Sequence, residues 1–259
     1  MKPLAALDPR LARAVLFDID ETLTTGGKLT ALAYAALERL KGAGKLVVPV
    51  TGRPAGWCDH IARMWPVDAV VGENGAFYFG FFDGALVRRF HDDAPTRTRN
   101  RVRLQGIAER ILAAVPGCAL ASDQAYRESD LAIDYCEDVA PLPVETAERI
   151  ASLMREAGLT AKISSIHVNG WFGDYDKLSM ARALFRERFR LELAAANREV
   201  VFVGDSPNDS PMFSFFENSV GVANLCRFES LLTHKPKYVT RAAAGAGFAE
   251  LAAHLLACG

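Results

Sequence analysis

Two short carboxylate clusters stand out because each closes an apolar run. Asp18-Ile19-Asp20-Glu21-Thr22 follows Ala14-Val15-Leu16-Phe17, and Gly204-Asp205-Ser206-Pro207-Asn208-Asp209 follows Val200-Val201-Phe202-Val203. A short continuous apolar run bounded by polar residues is the pattern of a strand buried on both faces of a parallel sheet. Strand alternation places Asp18 and Asp20 on the same side. The carboxyl ends of strands in open α/β sheets are where ligands bind. One carboxylate there can attack phosphorus covalently, while the other serves as acid and then as base. Taken alone, the first cluster also fits a strand ending in a polar loop. The second cluster shifts the balance, since Asp205 and Asp209 add two hard oxygen donors. Carboxylates gathered from two strand ends repel one another unless a cation sits among them. Magnesium suits such a set, because it takes a few carboxylates and keeps several waters.

The elements that must position these residues can be read from periodicity. After the first strand, Leu29, Leu32, Ala33, Ala36, Leu37 and Leu40 recur at helical spacing, with Thr30 as the N-cap. A second strand over 46–50 ends at Thr51-Gly52-Arg53, a helix opens at Pro54, and a third strand over 68–71 ends at Gly72-Glu73-Asn74-Gly75. Strand, helix, strand, helix, strand is the order of a doubly wound, Rossmann-like parallel sheet. After Phe82-Asp83-Gly84 the texture changes. Strands are expected over 86–90, 119–122 and 131–135, a strand pair over 161–171, and helices over 95–115 and 144–156. We read residues 84–171 as an inserted α+β cap domain, with residues 1–83 and 172–259 forming the catalytic core. The first pattern returns in a helix over 177–189, a strand over 199–203, a helix after Pro211, strands over 219–222 and 238–239, and a helix over 247–256.

Composition narrows the classes. The 259 residues hold 30 basic and 31 acidic side chains, a formal net charge of -1, so no global field favours nucleic acid or an anionic membrane. An anionic substrate must then be held by local charges. Cys58, Cys118, Cys136, Cys226 and Cys258 show no metal-ligand spacing, and an odd count of scattered cysteines reads as reduced thiols. With no apolar stretch long enough for a signal or a membrane span, a soluble cytoplasmic protein is expected.

Asp18-x-Asp20-x-Thr22, Thr51, Lys177 and Gly204-Asp205-x-x-x-Asp209 resemble, in order, the four motifs of the haloacid dehalogenase superfamily. The insert between the second and third motifs resembles that superfamily's type-two cap, and its α-and-β make-up resembles subclass B. Phosphatases for sucrose, trehalose and mannosylglycerate phosphates share this layout. The resemblance implies that Asp18 attacks phosphorus to form an aspartyl-phosphate, and that Asp20 protonates the leaving oxygen and then activates water. It implies Mg2+ held by Asp18, the Asp20 backbone carbonyl and Asp205, with Asp209 acting through water. Thr51 and Lys177 would cradle the phosphoryl oxygens. By itself Lys177 is a surface lysine at a helix start, and only its place after the insert makes it the third motif. Many members with this cap carry glycine where Glu21 stands, and a glutamate fits there if its side chain points away.

Further substrate-binding candidates are Gly52, Arg53, Asn74 and Asn208, which sit at the same strand ends. Within the insert the specificity candidates are Arg127, His167 and Asn169, each of which also fits a surface or hydrogen-bonded role. The expected function is therefore hydrolysis of a small phosphorylated metabolite, with a sugar phosphate favoured. A phosphomutase of the phosphomannomutase kind shares the nucleophile and the cap. A non-enzymatic phosphoacceptor domain shares an acidic cluster with Thr and Lys, although the second carboxylate Asp20 and the long insert argue against it. Neither the substrate nor the oligomeric state is written in the motifs.

Overall fold

Alternation decides how the central sheet is layered. The computed structural model describes residues 1–257, so Cys258 lies outside the described residues. After a two-residue edge strand, β1 (Lys2–Pro3), strand β2 (Ala14–Phe17) sends Val15 and Phe17 into one core and Ala14 and Leu16 into another. Helix α1 (Ala31–Gly42) is capped by the Thr30 hydroxyl, which accepts from Ala33 N at 3.3 Å. Its Ala33, Ala36, Leu37 and Leu40 recur at helical spacing and close over the Val15 face. Each fully buried leucine there contributes about 2 kcal/mol.

Strand β3 (Leu46–Pro49) pairs with β2 in parallel, and α2 (Ala55–Met64) follows it. Strand β4 (Val70–Gly72) joins the edge of β3 through a parallel bridge between Val50 and Val71. The chain then does something the sequence reading misses. β5 (Phe77–Phe82) and β6 (Ala85–Phe90) form a hairpin antiparallel to β4, turning at Asp83 and Gly84, whose φ angles are 52° and 78°. Two consecutive positive φ values are those of a tight type I′ turn, which joins twisted strands without splaying them. The expected start of the insert at residue 84 falls inside this turn. β6 stays paired to β5 along its whole length, so we propose that the cap begins after Phe90 and runs to about Trp171.

The insert builds its own layer pair. It comprises α3 (Ala94–Ala114), β7 (Ala119–Leu120), β8 (Asp130–Asp134), α4 (Val144–Glu156), β9 (Thr160–Ile163) and β10 (His167–Trp171). Its antiparallel sheet runs β7-β8-β10-β9. Leu104, Ile107 and Ile111 from α3 and Ile150 and Met154 from α4 pack on Leu131, Ile133 and Val168 of one sheet face. The opposite face carries Asp130, Asp134, His167, Asn169 and Trp171, all buried.

The remaining elements complete the core: α5 (Lys177–Leu184), continued by one π-helical turn Phe185–Phe189, then β11 (Val200–Gly204), α6 (Ser210–Phe215), β12 (Asn218–Gly221), β13 (Tyr238–Val239) and α7 (Ala244–Leu256). The main sheet is parallel with order β1-β13-β12-β11-β2-β3. α1 and α7 cover one face, and α5 and α6 the other. Strand order therefore reverses between β2 and β11, which makes the crevice beyond their carboxyl ends the switch point of the sheet. Among the described residues, no helix is long and apolar enough to cross a membrane, and Cys58, Cys118, Cys136 and Cys226 are free thiols.

One glycine ties the β4 turn to the start of α5. Gly75 has φ 109°, and a side-chain carbon there would lie 2.1 Å from the Asp176 carbonyl oxygen. No neighbouring side chain can yield, because the obstacle is backbone. Gly75→Ala should destabilise the fold by about 2–4 kcal/mol through strain and displacement of the α5 start. Gly84→Ala, in an open turn, should cost about 1 kcal/mol. Urea unfolding of both variants measures the difference, and equal losses would mean that the contact with Asp176 is readily relieved.

Candidate active site

The end of β2 and the end of β11 bring three carboxylates together. Asp18 N donates to the Val203 carbonyl at 3.0 Å, which locks the two strand ends side by side. After Asp18 the chain coils tightly, with Leu23 N and Thr24 N both donating to the Ile19 carbonyl at 2.9 Å. Glu21 sits at φ 54°, the left-handed region that favours glycine. Its carboxylate points away from the cluster and accepts from Gly27 N at 3.1 Å, while its N–H donates to Thr24 Oγ1 at 3.1 Å. These bonds hold a glutamate where the resemblance expects glycine.

Oxygens of Asp18, Asp205 and Asp209 all lie within 4.8 Å of one another, and all three residues are buried. Asp209 comes this close because β11 ends in glycine. A side-chain carbon at Gly204 would stand 2.3 Å from Asp209 Oδ2. That oxygen accepts from Asp205 N at 3.1 Å and Ser206 N at 3.3 Å. Asp205 is held on both sides, by the Thr22 hydroxyl at 3.4 Å and by Asn224 Nδ2 at 3.1 Å.

Lys177 opens α5, where Asp176 and Ser179 form a capping box. Far from being a surface residue, it is 1% exposed, and its Nζ donates to Asp18 Oδ1 at 2.9 Å and Asp209 Oδ1 at 2.7 Å. One ammonium faces three carboxylates. Burial pushes the Asp18 carboxyl up to about 7; Lys177 opposes the rise, and Asp209 and Asp20 add to it. Asp205 is raised well above the ordinary range by burial and by the neighbouring Asp18 and Asp209. A donor set of oxygens only, with an excess of negative charge, fits a hard divalent cation such as Mg2+.

A second group of polar residues rings this cluster. Thr51 is fully buried, and its hydroxyl accepts from Arg53 N at 3.0 Å. Asn74 has φ 54° between Glu73 at 42° and Gly75 at 109°, a strained turn of the sort that marks functional sites. Its Oδ1 accepts from Asn208 Nδ2 at 3.2 Å, while its buried Nδ2 has no hydrogen-bond partner among the described residues. A side-chain carbon at Gly52 would lie 3.2 Å from Asn74 Nδ2 and 3.6 Å from Asn169 Oδ1, so core and cap meet here. Thr51, Gly52, Asn74, Asn208 and Asn169 are thus close neighbours.

Arg53 joins Asp20 to the cap. Its Nε lies 2.9 Å from both Asp20 oxygens, and its Nη2 lies 2.7 Å from Asp20 Oδ1. The other side of the guanidinium donates to Asp123 Oδ2 at 3.4 Å and to Glu137 at 2.5 and 3.2 Å, and its plane lies over Trp57. His167 Nε2 is 2.9 Å from Glu137 Oε2. Arg127 donates to Asp123, Asp130 and the Gly52 carbonyl, so it clamps the cap onto the β3 loop. Asn169 Nδ2 donates to Asp130 Oδ2 at 2.9 Å.

Sequence reasoning overlooked Glu73, Asp123, Asp130, Asp134 and Glu137. Glu73 is fully buried and accepts four backbone N–H groups, from Ala55, Glu128, Ser129 and Asp130. Asp130-Leu131-Ala132-Ile133-Asp134 carries a readable signal, since aspartates four residues apart at the two ends of an apolar run fall on one face of a strand. Glu73 and Asp123 carry none.

Residues 15–89 match the family model for haloacid dehalogenase-like hydrolases. No curated protein matches the chain by sequence. Among solved structures, the chain resembles a HAD/COF-like hydrolase from Plasmodium vivax, with TM-score 0.71, 18% identity and coverage of 98% of this chain and 99% of that one. The C-terminal domain of trehalose-6-phosphate phosphatase from C. albicans aligns with TM-score 0.68, 13% identity and 98% of both chains. Sucrose-phosphatase from Synechocystis, solved with sucrose and phosphate, aligns with TM-score 0.62, 15% identity, 95% of this chain and 98% of that one.

The carboxylate cluster generates a test of cation binding. The folded pKa of Asp18 is raised, so protonation favours the folded state, and metal-free stability should fall as pH rises from about 4 through about 7. A cation competes with those protons. Thermal unfolding should therefore show a larger stabilisation by Mg2+ at pH 8 than at pH 5.5, and Asp205→Asn should largely remove it. A Mg2+ effect independent of both pH and Asp205 would exclude this site.

Proposed function

We propose that the chain is a member of the haloacid dehalogenase superfamily with a cap like that of subclass B, and that it is a magnesium-dependent phosphatase for a small phosphorylated metabolite, a sugar phosphate above all. The observation that carries this reading is the buried Lys177 ammonium bridging Asp18 and Asp209, with Asp205 alongside, at the switch point of the sheet. The sugar-phosphate phosphatases among the similar structures support the substrate class.

An Asp18 oxygen attacks phosphorus as the ester P–O bond breaks, leaving an aspartyl-phosphate. Asp20 gives its proton to the departing oxygen, and Arg53 fixes the direction of that carboxyl from Nε and Nη2. Asp20 then takes a proton from the water that attacks the same phosphorus, which returns Asp18 as carboxylate and releases phosphate. Lys177, the Thr51 hydroxyl and Asn74 Nδ2 meet the phosphoryl oxygens, with Asn208 holding the Asn74 amide in that orientation. Asp18, the Asp20 carbonyl, Asp205 and Asp209 are the groups that would hold Mg2+, which would supply neutralisation of charge on the transferring group.

Asp18→Asn should abolish phosphate release, and excess chelator should do the same reversibly. Full activity in either condition removes the assignment. Asp20→Asn should lose about 10²–10⁴-fold on an alkyl phosphate and much less on nitrophenyl phosphate, whose leaving group departs without a proton. Initial rates on the two substrates decide it, and equal losses would mean that Asp20 is not the acid.

A further inference from the structure

The face that the cap turns toward Asp20 is acidic. Along β8 and β10, Leu131, Ile133 and Val168 sink into the cap's own core, while Asp134, His167 and Asn169 face the catalytic core. The strand register sets His167 opposite Asp134. Asp134 accepts from Cys136 N at 2.9 Å, Glu137 N at 2.8 Å and Asp138 N at 2.8 Å, a tight turn that aims Glu137 back at the site. Burial alone would raise the Glu137 carboxyl, but His167, whose Nε2 lies 2.9 Å away, and the hydrogen bonds from Arg53 hold it down to about 2, so it stays ionised at neutral pH.

Outward from Asp20 come Arg53 and then Glu137 and Asp123, the two carboxylates that share its guanidinium. Both nearby guanidiniums are already paired with carboxylates that outnumber them. Arg53 is shared by Asp20, Asp123 and Glu137, and Arg127 by Asp123, Asp130 and the Gly52 carbonyl. Fixed carboxylates accept hydrogen bonds from hydroxyl or ammonium groups and repel carboxylate or phosphate. Building repulsion against the wrong ligand is the usual source of such discrimination.

Resting on the phosphatase reading above, we propose that Glu137 and Asp123 make this a phosphatase for monoesters of uncharged or amine-bearing polyols, excluding leaving groups that carry a second phosphate or a carboxylate. Glu137 is the specificity-determining residue, held ready by Asp134 and His167. The same charge arrangement rejects the bisphosphate that a mutase cycle requires.

The test compares kcat/KM for phosphate release from glucose 6-phosphate and glucosamine 6-phosphate with that from 6-phosphogluconate and glucose 1,6-bisphosphate. The wild-type enzyme should favour the first pair at least tenfold. Glu137→Gln should narrow the ratio about tenfold, chiefly by raising the rate on the anionic pair, a gain that a misfolded variant cannot produce. Equal rates in the wild type, or a ratio that Glu137→Gln leaves unchanged, would overturn the proposal. Nitrophenyl phosphate reports separately on the phosphatase reading. Should no ester be hydrolysed, that reading fails, and calorimetric binding of the same compounds to the Mg2+-loaded wild type judges the pocket. Tighter binding of glucose 6-phosphate than of 6-phosphogluconate would support it. Equal or reversed binding, or none by glucose 6-phosphate, would overturn it.

Discussion

Burying three carboxylates beside one ammonium is the constraint on which the rest of the structure depends. Taking charges out of water is expensive, and one buried lysine offsets only part of the repulsion among Asp18, Asp205 and Asp209. The sheet makes the arrangement possible by holding the ends of β2 and β11 rigidly together. Close approaches at Gly75 and Gly204 set the lysine and Asp209 at their distances. A cluster so under-neutralised suits a hard divalent cation. Stability is traded for readiness at this point of the fold.

The parts of this design that were legible in the sequence are those fixed by local pattern. The apolar runs before Asp18 and Asp205, the Thr30 cap and the spacing of Leu37 and Leu40 all act within a few residues, and the structure has them where the pattern puts them. β5 escaped because Phe77-Tyr78-Phe79-Gly80-Phe81-Phe82 has no polar alternation to mark its faces, and Asp83-Gly84 then reads as a border where it is a hairpin turn. The signal was present, since Asp-Gly between two β-prone runs is a strong hairpin marker.

The unread part of the site depends on distant partners. Arg53 meets Glu137 across 84 residues of sequence, and Glu73 meets the backbone of Glu128 across 55. Side chains whose role is given by another domain's position carry no local trace of it. Arg127 illustrates the consequence. It is a specificity candidate in the sequence, and the structure has each of its three nitrogens engaged by Asp123, Asp130 or the Gly52 carbonyl. Its visible work is to dock the cap.

That docking need not be tight in free-energy terms. Glu73 joins the core to the cap through the N–H groups of Glu128, Ser129 and Asp130, and Arg127 joins the cap to the core through Gly52. Burial pushes the Glu73 carboxyl up to about 8, and Asp130 adds to the rise, a sign that the closed state holds this group against its preference for water. On opening, Glu73 and Arg127 would regain hydration, which offsets much of the hydrogen bonding lost. The apolar contact of Trp171 and Tyr175 with Ile19, Ala55 and Phe77 supplies closure without that compensation. The seam thus combines charges whose burial is partly self-offsetting with an apolar contact whose burial is not. In the phosphatase proposed above, a cap over the site would have to admit substrate and release product, and a seam of this composition suits that task.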